Sequence, residues 1–135
     1  MTKLERRLFT LTNLIISIIG IIYFIMDFFF KVDTDFGQRP HAFTATLLYL
    51  HIITVPILIF FVGSLFKSHI FPKIKSGVKT RRYSGISLFV LFLLMSMTGY
   101  LLQTAISGGE IMGNAHLIFS FLWIIGYLWH FRLRI

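Results

Sequence analysis

The five histidines are the residues of this 135-residue chain whose types and spacing point to chemistry. Cysteine is absent, which excludes disulfides, iron–sulfur clusters, thiolate zinc sites and covalently attached c-type haem. A metal centre would therefore need histidine, carboxylate or methionine ligands. The histidines all lie in or beside the second and fourth of four long apolar segments: His41, His51, His69, His116 and His130.

The histidines are spaced so that they recur on one side of a helix. His116 and His130 are 14 residues apart, which corresponds to about 21 Å along a helix and about 40° around its axis. His51 and His69 are 18 residues apart, which is about five turns. We therefore expect each pair to share a helix face.

The depth of the histidines suggests how they pair. His51 and His116 each lie 16 residues before the first cation that follows their segment. On helices running in the same direction they would lie at equal depth, with His69 and His130 as a second pair near the charged ends. Facing imidazoles are the axial ligands of b-type haem, so the sequence predicts two non-covalent, bis-histidine haem b groups.

A haem pocket also needs apolar walls and cations for the propionates. The candidate wall residues are Trp123, Tyr127, Phe119 and Phe60. The candidate propionate contacts are Arg81, Arg82 and Lys79 at the inner edge and Lys31 and Arg39 at the outer edge.

Each histidine also has a structural interpretation. His69 and His130 lie near the membrane boundary, where a histidine can simply be hydrated, so a single haem held by His51 and His116, or no haem, are alternatives. His51 lies within its segment, where an ionisable residue indicates function. His41 fits an interfacial residue or propionate contact better than a ligand, and it would replace His51 if the register differs.

Four long apolar segments, of which only the first contains a charged residue, Asp27, determine the broad class. A helix needs about 20 apolar residues to cross a bilayer about 30 Å thick. The predicted spans are residues 8–30, 42–66, 84–106 and 115–131. The first is too long for a signal-peptide core, and no small-residue cleavage motif follows it. We predict an all-α membrane protein, a four-helix up-down bundle forming one domain over residues 1–135.

Local signals mark the ends of the helices. Thr2 and Glu5 form a predicted capping box at the start of the first helix. Phe71-Pro72 and Ser76-Gly77 are predicted to interrupt the chain after the second span, and residues 107–109 to separate the third span from the fourth.

The net charge of +8 is distributed asymmetrically along the chain. Eleven of the 13 basic residues precede the first span, lie between the second and third, or follow the fourth; the exceptions are Lys31 and Arg39. The positive-inside rule then places both termini in the cytoplasm, as a multi-pass protein of the bacterial inner membrane. Orientation and anionic lipid account for the positive charge, so no nucleic-acid partner is expected.

Three segments resemble a known group of proteins: LHIITVPILIFFVGSLFKSHI, TRRYSGISLFVLFLLMSMTGYLLQ and AHLIFSFLWIIGYLWHFR. They are similar to the bacterial four-helix b-type cytochromes, which include the b561-type cytochromes and the membrane subunits of formate dehydrogenase and nickel–iron hydrogenase. The resemblance covers roughly residues 45–132, and the histidine pair in the last segment is its most specific part.

This resemblance implies transmembrane electron transfer between quinone and a partner redox protein, with His51, His116 and His130 as haem ligands. Many relatives take one ligand from the first helix, but that helix has no histidine here, and Asn13 stands in its cytoplasmic half. His69 must then supply the fourth ligand. The short loops favour docking onto a larger redox complex or assembly as a homo-oligomer.

Other polar residues have weaker interpretations. Asp27 could bind quinol or relay protons, although pairing with Lys31 four residues later fits better. Tyr100, Gln103 and Glu110 could hydrogen-bond a quinone.

The rival functions are a haem-free membrane subunit that stabilises a larger complex and, less well supported, a small transporter. No motif for hydrolysis or nucleotide-driven chemistry is present in the sequence.

Overall fold

The computed structural model describes residues 2–77, 82–104 and 109–132, without the side chains of residues 131 and 132. In chain order the elements are α1 (Lys3–Phe29), β1 (Lys31–Thr34), β2 (Gly37–Pro40), α2 (Ala42–Leu65), a π-helical turn (Phe66–Ile70), α3 (Phe71–Lys75), α4 (Arg82–Gln103) and α5 (Gly109–Arg132). Four helical segments are long and apolar enough to span a membrane. These four helices confirm the predicted all-α, multi-pass membrane protein in its helical character and in its number of candidate spans.

The helices form two compact units. The first comprises Met1–Phe71, in which α1 packs against α2, and the second comprises Pro72–Ile135, in which α4 packs against α5. We call them the first and second helical hairpins. Each consists of two consecutive spans joined by a short connection, the arrangement that short loops impose on neighbouring helices.

The predicted capping box at the start of α1 is confirmed. The Glu5 backbone N–H donates to Thr2 Oγ1 at 3.1 Å, and the Thr2 N–H donates to the Glu5 carboxylate at 2.7 Å. These two bonds satisfy backbone donors that the first helical turn leaves without partners. They start α1 five residues before the predicted span.

The predicted break at Phe71-Pro72 is wrong. The helix that begins at Ala42 continues to Lys75, through a π-helical turn that ends directly before Phe71. The Phe71 N–H donates to the carbonyl of Phe66, five residues earlier. Proline lacks an N–H and its ring disturbs a regular α turn, and the wider π turn directly before it changes the local register. The predicted stop at Ser76-Gly77 agrees with the structure, because Gly77 adopts a φ of +68°.

A two-stranded antiparallel sheet connects α1 to α2, and the sequence analysis missed it. Lys31 pairs with Pro40 and Thr34 with Gly37. Gly37 has a φ of +100°, where L side chains are strained. Thr34 Oγ1 donates to the Gly37 carbonyl at 2.6 Å. A glycine shortly after Asp35 was the turn signal available in the sequence.

The start of α5 also differs from the prediction. It begins at Gly109, six residues before the predicted residue 115. Glu110 lies in its first turn, where a carboxylate interacts favourably with the helix dipole. The third span corresponds to α4, which ends at Gln103. The last two residues of the predicted span, 105 and 106, lie outside the described residues.

Few side chains are fully enclosed within either hairpin. Phe92 and Trp123 are 4% and 5% exposed, whereas the adjacent Leu93 is 45% exposed. Apolar side chains on the outside of a membrane helix lie in lipid as readily as in protein, so shape-specific packing must hold helices together.

We expect Phe92→Ala to destabilise the second helical hairpin by on the order of 2 kcal/mol, less than in a soluble core because detergent or lipid solvates the exposed surface. Leu93→Ala is the matched control and should change stability little. Unfolding of the purified protein in mixed micelles measures both. Equal effects of the two substitutions would contradict this packing.

Candidate functional site

A stripe of three large side chains on α5 faces a complementary stripe on α4. His116, Trp123 and His130 recur every seven residues. A β-carbon added at Gly99 would lie 2.9 Å from His116 Cε1, and one at Gly85 would lie 3.8 Å from His130 Cε1. Seven residues are about two helical turns, so the two antiparallel helices stay in one register along the line of contact between the stripes. We call this line of contact, from Gly99–His116 to Gly85–His130, the seam.

The middle of the seam is aromatic. The rings of Phe92 and Trp123 lie 5.5 Å apart between centroids, and Trp123 stacks on Tyr127 at 6.4 Å. Phe92 is seven residues from both Gly85 and Gly99. The seam thus places two glycines of α4 opposite the histidines of α5, and it places Phe92 next to Trp123. Trp123 and Tyr127 were predicted pocket walls, and the structure places them in this seam.

The contacts of His116 orient its imidazole. Its Nδ1 donates to the Met95 carbonyl at 3.0 Å and lies 3.4 Å from Thr98 Oγ1. The Thr98 hydroxyl in turn donates to carbonyls of its own helix, at 2.9 Å to Leu94. A carbonyl can only accept, so the bond to Met95 places the proton of a neutral ring on Nδ1. Nε2 then carries the lone pair, the arrangement typical of metal-ligating histidines.

His130 has a related environment at the other end of the seam. Its Nδ1 lies 2.9 Å from Ser84 Oγ, and the ring is half-buried. A serine hydroxyl can either donate or accept, so this contact fixes the ring orientation and leaves the tautomer open. Both α5 histidines therefore have their Nδ1 atoms held by α4.

The first helical hairpin repeats the glycine–histidine contact. A β-carbon at Gly20 would lie 3.1 Å from His51 Cε1 and 3.4 Å from its Nδ1. Seven residues away along each helix lie Asn13 and Leu58, which are 4% and 3% exposed. The glycine is again on the first helix and the histidine on the second. His51 is thus the counterpart of His116.

His69 lies within the π-helical turn and is half-buried. The prediction that it shares a face with His51 assumed one uniform α-helix, and that assumption is wrong. A π turn adds one residue to a helical turn, which rotates the following side chains by up to about 100°. The seven-residue repeat of the first hairpin reaches Leu65 at the place that corresponds to His130. The role of His69 as a ligand stays a prediction.

His41 has a capping role at the start of α2. The Phe43 N–H donates to His41 Nδ1 at 3.2 Å, and His41 is exposed. In a neutral ring this places the proton on Nε2. His41 therefore caps α2, and its place at the membrane interface stays a prediction.

Three of the five predicted propionate cations lie among the described residues. Lys31 and Arg39 are exposed in the two-stranded sheet, and the Arg39 guanidinium lies 5.9 Å from the centre of the Phe36 ring. Arg82 is the first residue of α4 and is half-buried. Lys79 and Arg81 lie outside the described residues.

The weaker polar candidates are Asp27, Tyr100, Gln103 and Glu110. Lys31 is not the helical i+4 neighbour of Asp27, because α1 ends at Phe29, and the structure has no ion pair between these two described residues. Tyr100 is 70% exposed, and Gln103 and Glu110 are exposed. Of the other predicted walls, Phe119 is half-buried and Phe60 is 70% exposed.

Several contributions to this site were not predicted: those of Gly20, Gly85, Ser84, Thr98 and the backbone carbonyl of Met95. The available signal was the 14-residue interval between Gly85 and Gly99, which equals that between His116 and His130. Within the described ranges, no group of three or more histidine, aspartate or glutamate residues could hold a metal ion. A haem iron needs only two axial protein ligands.

Comparison with known proteins returned no match: no protein-family model, no curated protein and no solved structure resembles the chain significantly.

We expect Gly99→Ala to displace the His116 imidazole or separate α4 from α5, because the new methyl group would lie 2.9 Å from Cε1. The variant should unfold at a lower temperature in micelles than the parent protein. Gly63→Ala is the matched control, since nothing lies within 4 Å of a β-carbon there. That substitution should be neutral or stabilise its helix by up to about 1 kcal/mol. Equal melting temperatures for the two variants would contradict the close approach.

Proposed function

We propose that this chain is a dihaem b-type cytochrome of the bacterial cytoplasmic membrane, which carries electrons between quinone and a partner redox protein. The observation that carries the proposal is the repeated contact of a glycine on one helix with a histidine on the next. Gly20 and His51 make it in the first hairpin, and Gly99 and His116 make it in the second.

The chemistry of these residues fits a haem. With cysteine absent, a bis-imidazole site is the natural ligand set for haem iron in this chain. His116 has its Nδ1 hydrogen-bonded to a backbone carbonyl, which puts the lone pair of a neutral ring on Nε2, the atom that would ligate the iron. A bound haem would supply reversible one-electron chemistry, and the chain's residues would ligate it, orient it and exclude water.

In the proposed assembly the two hairpins form an up-down bundle, with His51 and His116 ligating the outer haem. His51 is the tenth residue of α2, and His116 is the eighth residue of α5. Each histidine therefore lies about 10 to 14 Å from the start of its own helix, because each residue adds about 1.5 Å of rise.

The proposed inner haem takes His130 and His69 as ligands. Ser84 orients His130 through the 2.9 Å contact to Nδ1. Because Leu65 occupies the repeat position in the first hairpin, His69 would reach this haem from the π turn, a feature often found at functional sites. The propionate cations would be Arg82, Arg81 and Lys79 at the inner edge and Lys31 and Arg39 at the outer edge.

The orientation belongs to the same proposal. Eleven of 13 bases on one side favour cytoplasmic termini and binding of anionic lipid. The partners would be membrane lipid, quinone and a larger redox complex or a second copy of the chain.

A haem-free membrane subunit is the second candidate. The observation that favours it is the bond from His116 to the Met95 carbonyl, which also links α4 to α5 directly. In a bilayer such bonds stabilise helix pairs without any cofactor. Haem content separates the two candidates.

The decisive measurement is a reduced-minus-oxidised spectrum with a pyridine haemochrome assay on protein expressed with ample haem. We expect two haems b per chain. Folded, monodisperse protein without b-type haem would overturn the cytochrome proposal and leave the haem-free subunit.

Histidine substitutions then assign the ligands. His51→Ala and His116→Ala should each remove the outer haem and halve the haem content, because one axial ligand is lost. His130→Ala and His69→Ala should do the same for the inner haem. His41→Ala, which removes only a helix cap, is the control and should retain both. One haem in the parent protein with His69→Ala silent would establish the single-haem version.

A further inference from the structure

The sheet between α1 and α2 lies where the chain leaves one candidate span and enters the next. α1 ends at Phe29 and α2 begins at Ala42. Each strand has four residues, which extend about 13 Å. The whole connection therefore stays within about one strand length of the ends of two membrane-spanning helices, and its environment is the membrane surface.

The two faces of this sheet differ in chemistry. Val32 pairs with Arg39, whose guanidinium lies over the Phe36 ring at 5.9 Å. On the opposite face Asp33 pairs with Gln38, and Gln38 Nε2 donates to Asp33 Oδ1 at 3.2 Å. Alternation along the strands separates these sets. We call the first set, Val32, Phe36 and Arg39, the aromatic face.

The aromatic face is exposed, and one side-chain hydrogen bond and one glycine conformation define the turn that carries it. Phe36 is 87% exposed and Val32 46% exposed. The turn that presents Phe36 is closed by the bond from Thr34 Oγ1 to the Gly37 carbonyl and by the φ of +100° at Gly37. The aromatic face therefore places an exposed ring and an exposed aliphatic side chain next to a cation.

The neighbouring chain indicates that lipid covers it. Phe28, Phe29 and Phe30 at the end of α1 are 65%, 67% and 55% exposed and lead directly into β1. Exposed apolar side chains at the end of a span lie in the bilayer, and the aromatic face follows them directly along the chain. An arginine whose stem lies along apolar groups and whose head remains polar suits the level of the lipid phosphates.

We propose that the aromatic face is a lipid-binding surface, with Phe36 inserted at the boundary between headgroups and acyl chains and Arg39 bound to lipid phosphate. The sheet then lies on the membrane and fixes the depth of the first helical hairpin. Binding of lipid removes Arg39 from the two proposed outer propionate contacts, so that Lys31 alone would serve there. The surface does not depend on whether haem is bound.

The absence of cysteine makes the test direct, because a single introduced cysteine is the only thiol. Spin-labelled Val32→Cys and Gln38→Cys proteins are reconstituted into vesicles of phosphatidylcholine with a minority of phosphatidylglycerol. Collisional accessibility is measured with oxygen, which concentrates in lipid, and with a water-soluble nickel chelate. The label at residue 32 should favour oxygen several-fold more than the label at residue 38, on the polar face.

A second variant tests the role of Phe36. Adding Phe36→Ser to Val32→Cys should move the label several-fold toward the nickel reagent, whereas Phe36→Trp should keep it in lipid. Nickel accessibility at residue 32 equal to that at residue 38 would overturn the proposal in favour of a sheet in water. Low accessibility to both reagents at residue 32 would overturn it in favour of a covering protein, and an unchanged signal in the Phe36→Ser protein would overturn the role of Phe36.

Discussion

The close approach of a glycine to a histidine is the constraint on which both helical hairpins depend. Lipid solvates apolar helix surfaces as well as protein does, so helices in a bilayer gain little from burying leucine or phenylalanine alone. Removing a β-carbon lets an imidazole lie against the facing backbone, as His116 does at Gly99 and His51 does at Gly20. The contact therefore joins the helices and positions the ring.

Hydrogen bonds within the second hairpin make that position specific. Thr98 donates to its own helix, and Met95 offers its carbonyl to His116 although that carbonyl belongs to an α-helix. In an apolar surrounding a buried ring N–H without an acceptor would be costly, so such a bond determines both ring angle and tautomer. The same bond that holds the helices together leaves Nε2 with the lone pair that the proposed haem requires.

The two hairpins are alike at one glycine–histidine contact and differ 14 residues further along the second helix of each. The Gly20–His51 contact corresponds to Gly99–His116, but Leu65 takes the place that His130 has in the second hairpin. His69, the histidine that follows His51 in the first hairpin, lies in a π turn. In the proposed cytochrome the two haems would therefore differ: the outer one would use the repeated contact, and the inner one would need a ligand from an irregular segment.

The sequence by itself determined the features that depend on neighbouring residues. Four apolar segments, the Thr2–Glu5 capping box and the 14-residue histidine interval follow from composition and helical period, which involve no distant residue. The strands were missed because a short exposed hairpin has little apolar alternation. The π turn was missed because the wider turn just before Pro72 leaves no periodic signal.

Only the tertiary structure decided which residues complete the site. Gly20 and Gly85 have no distinctive chemistry in the sequence, and Ser84 is an ordinary helix residue, as is Met95 in its use of a backbone carbonyl. Each acquires its role from the side chain opposite, and that depends on how one helix is aligned along its partner. Helix alignment results from the fit of many side chains at once, so the sequence placed the histidines on their helices, and packing gave them their partners.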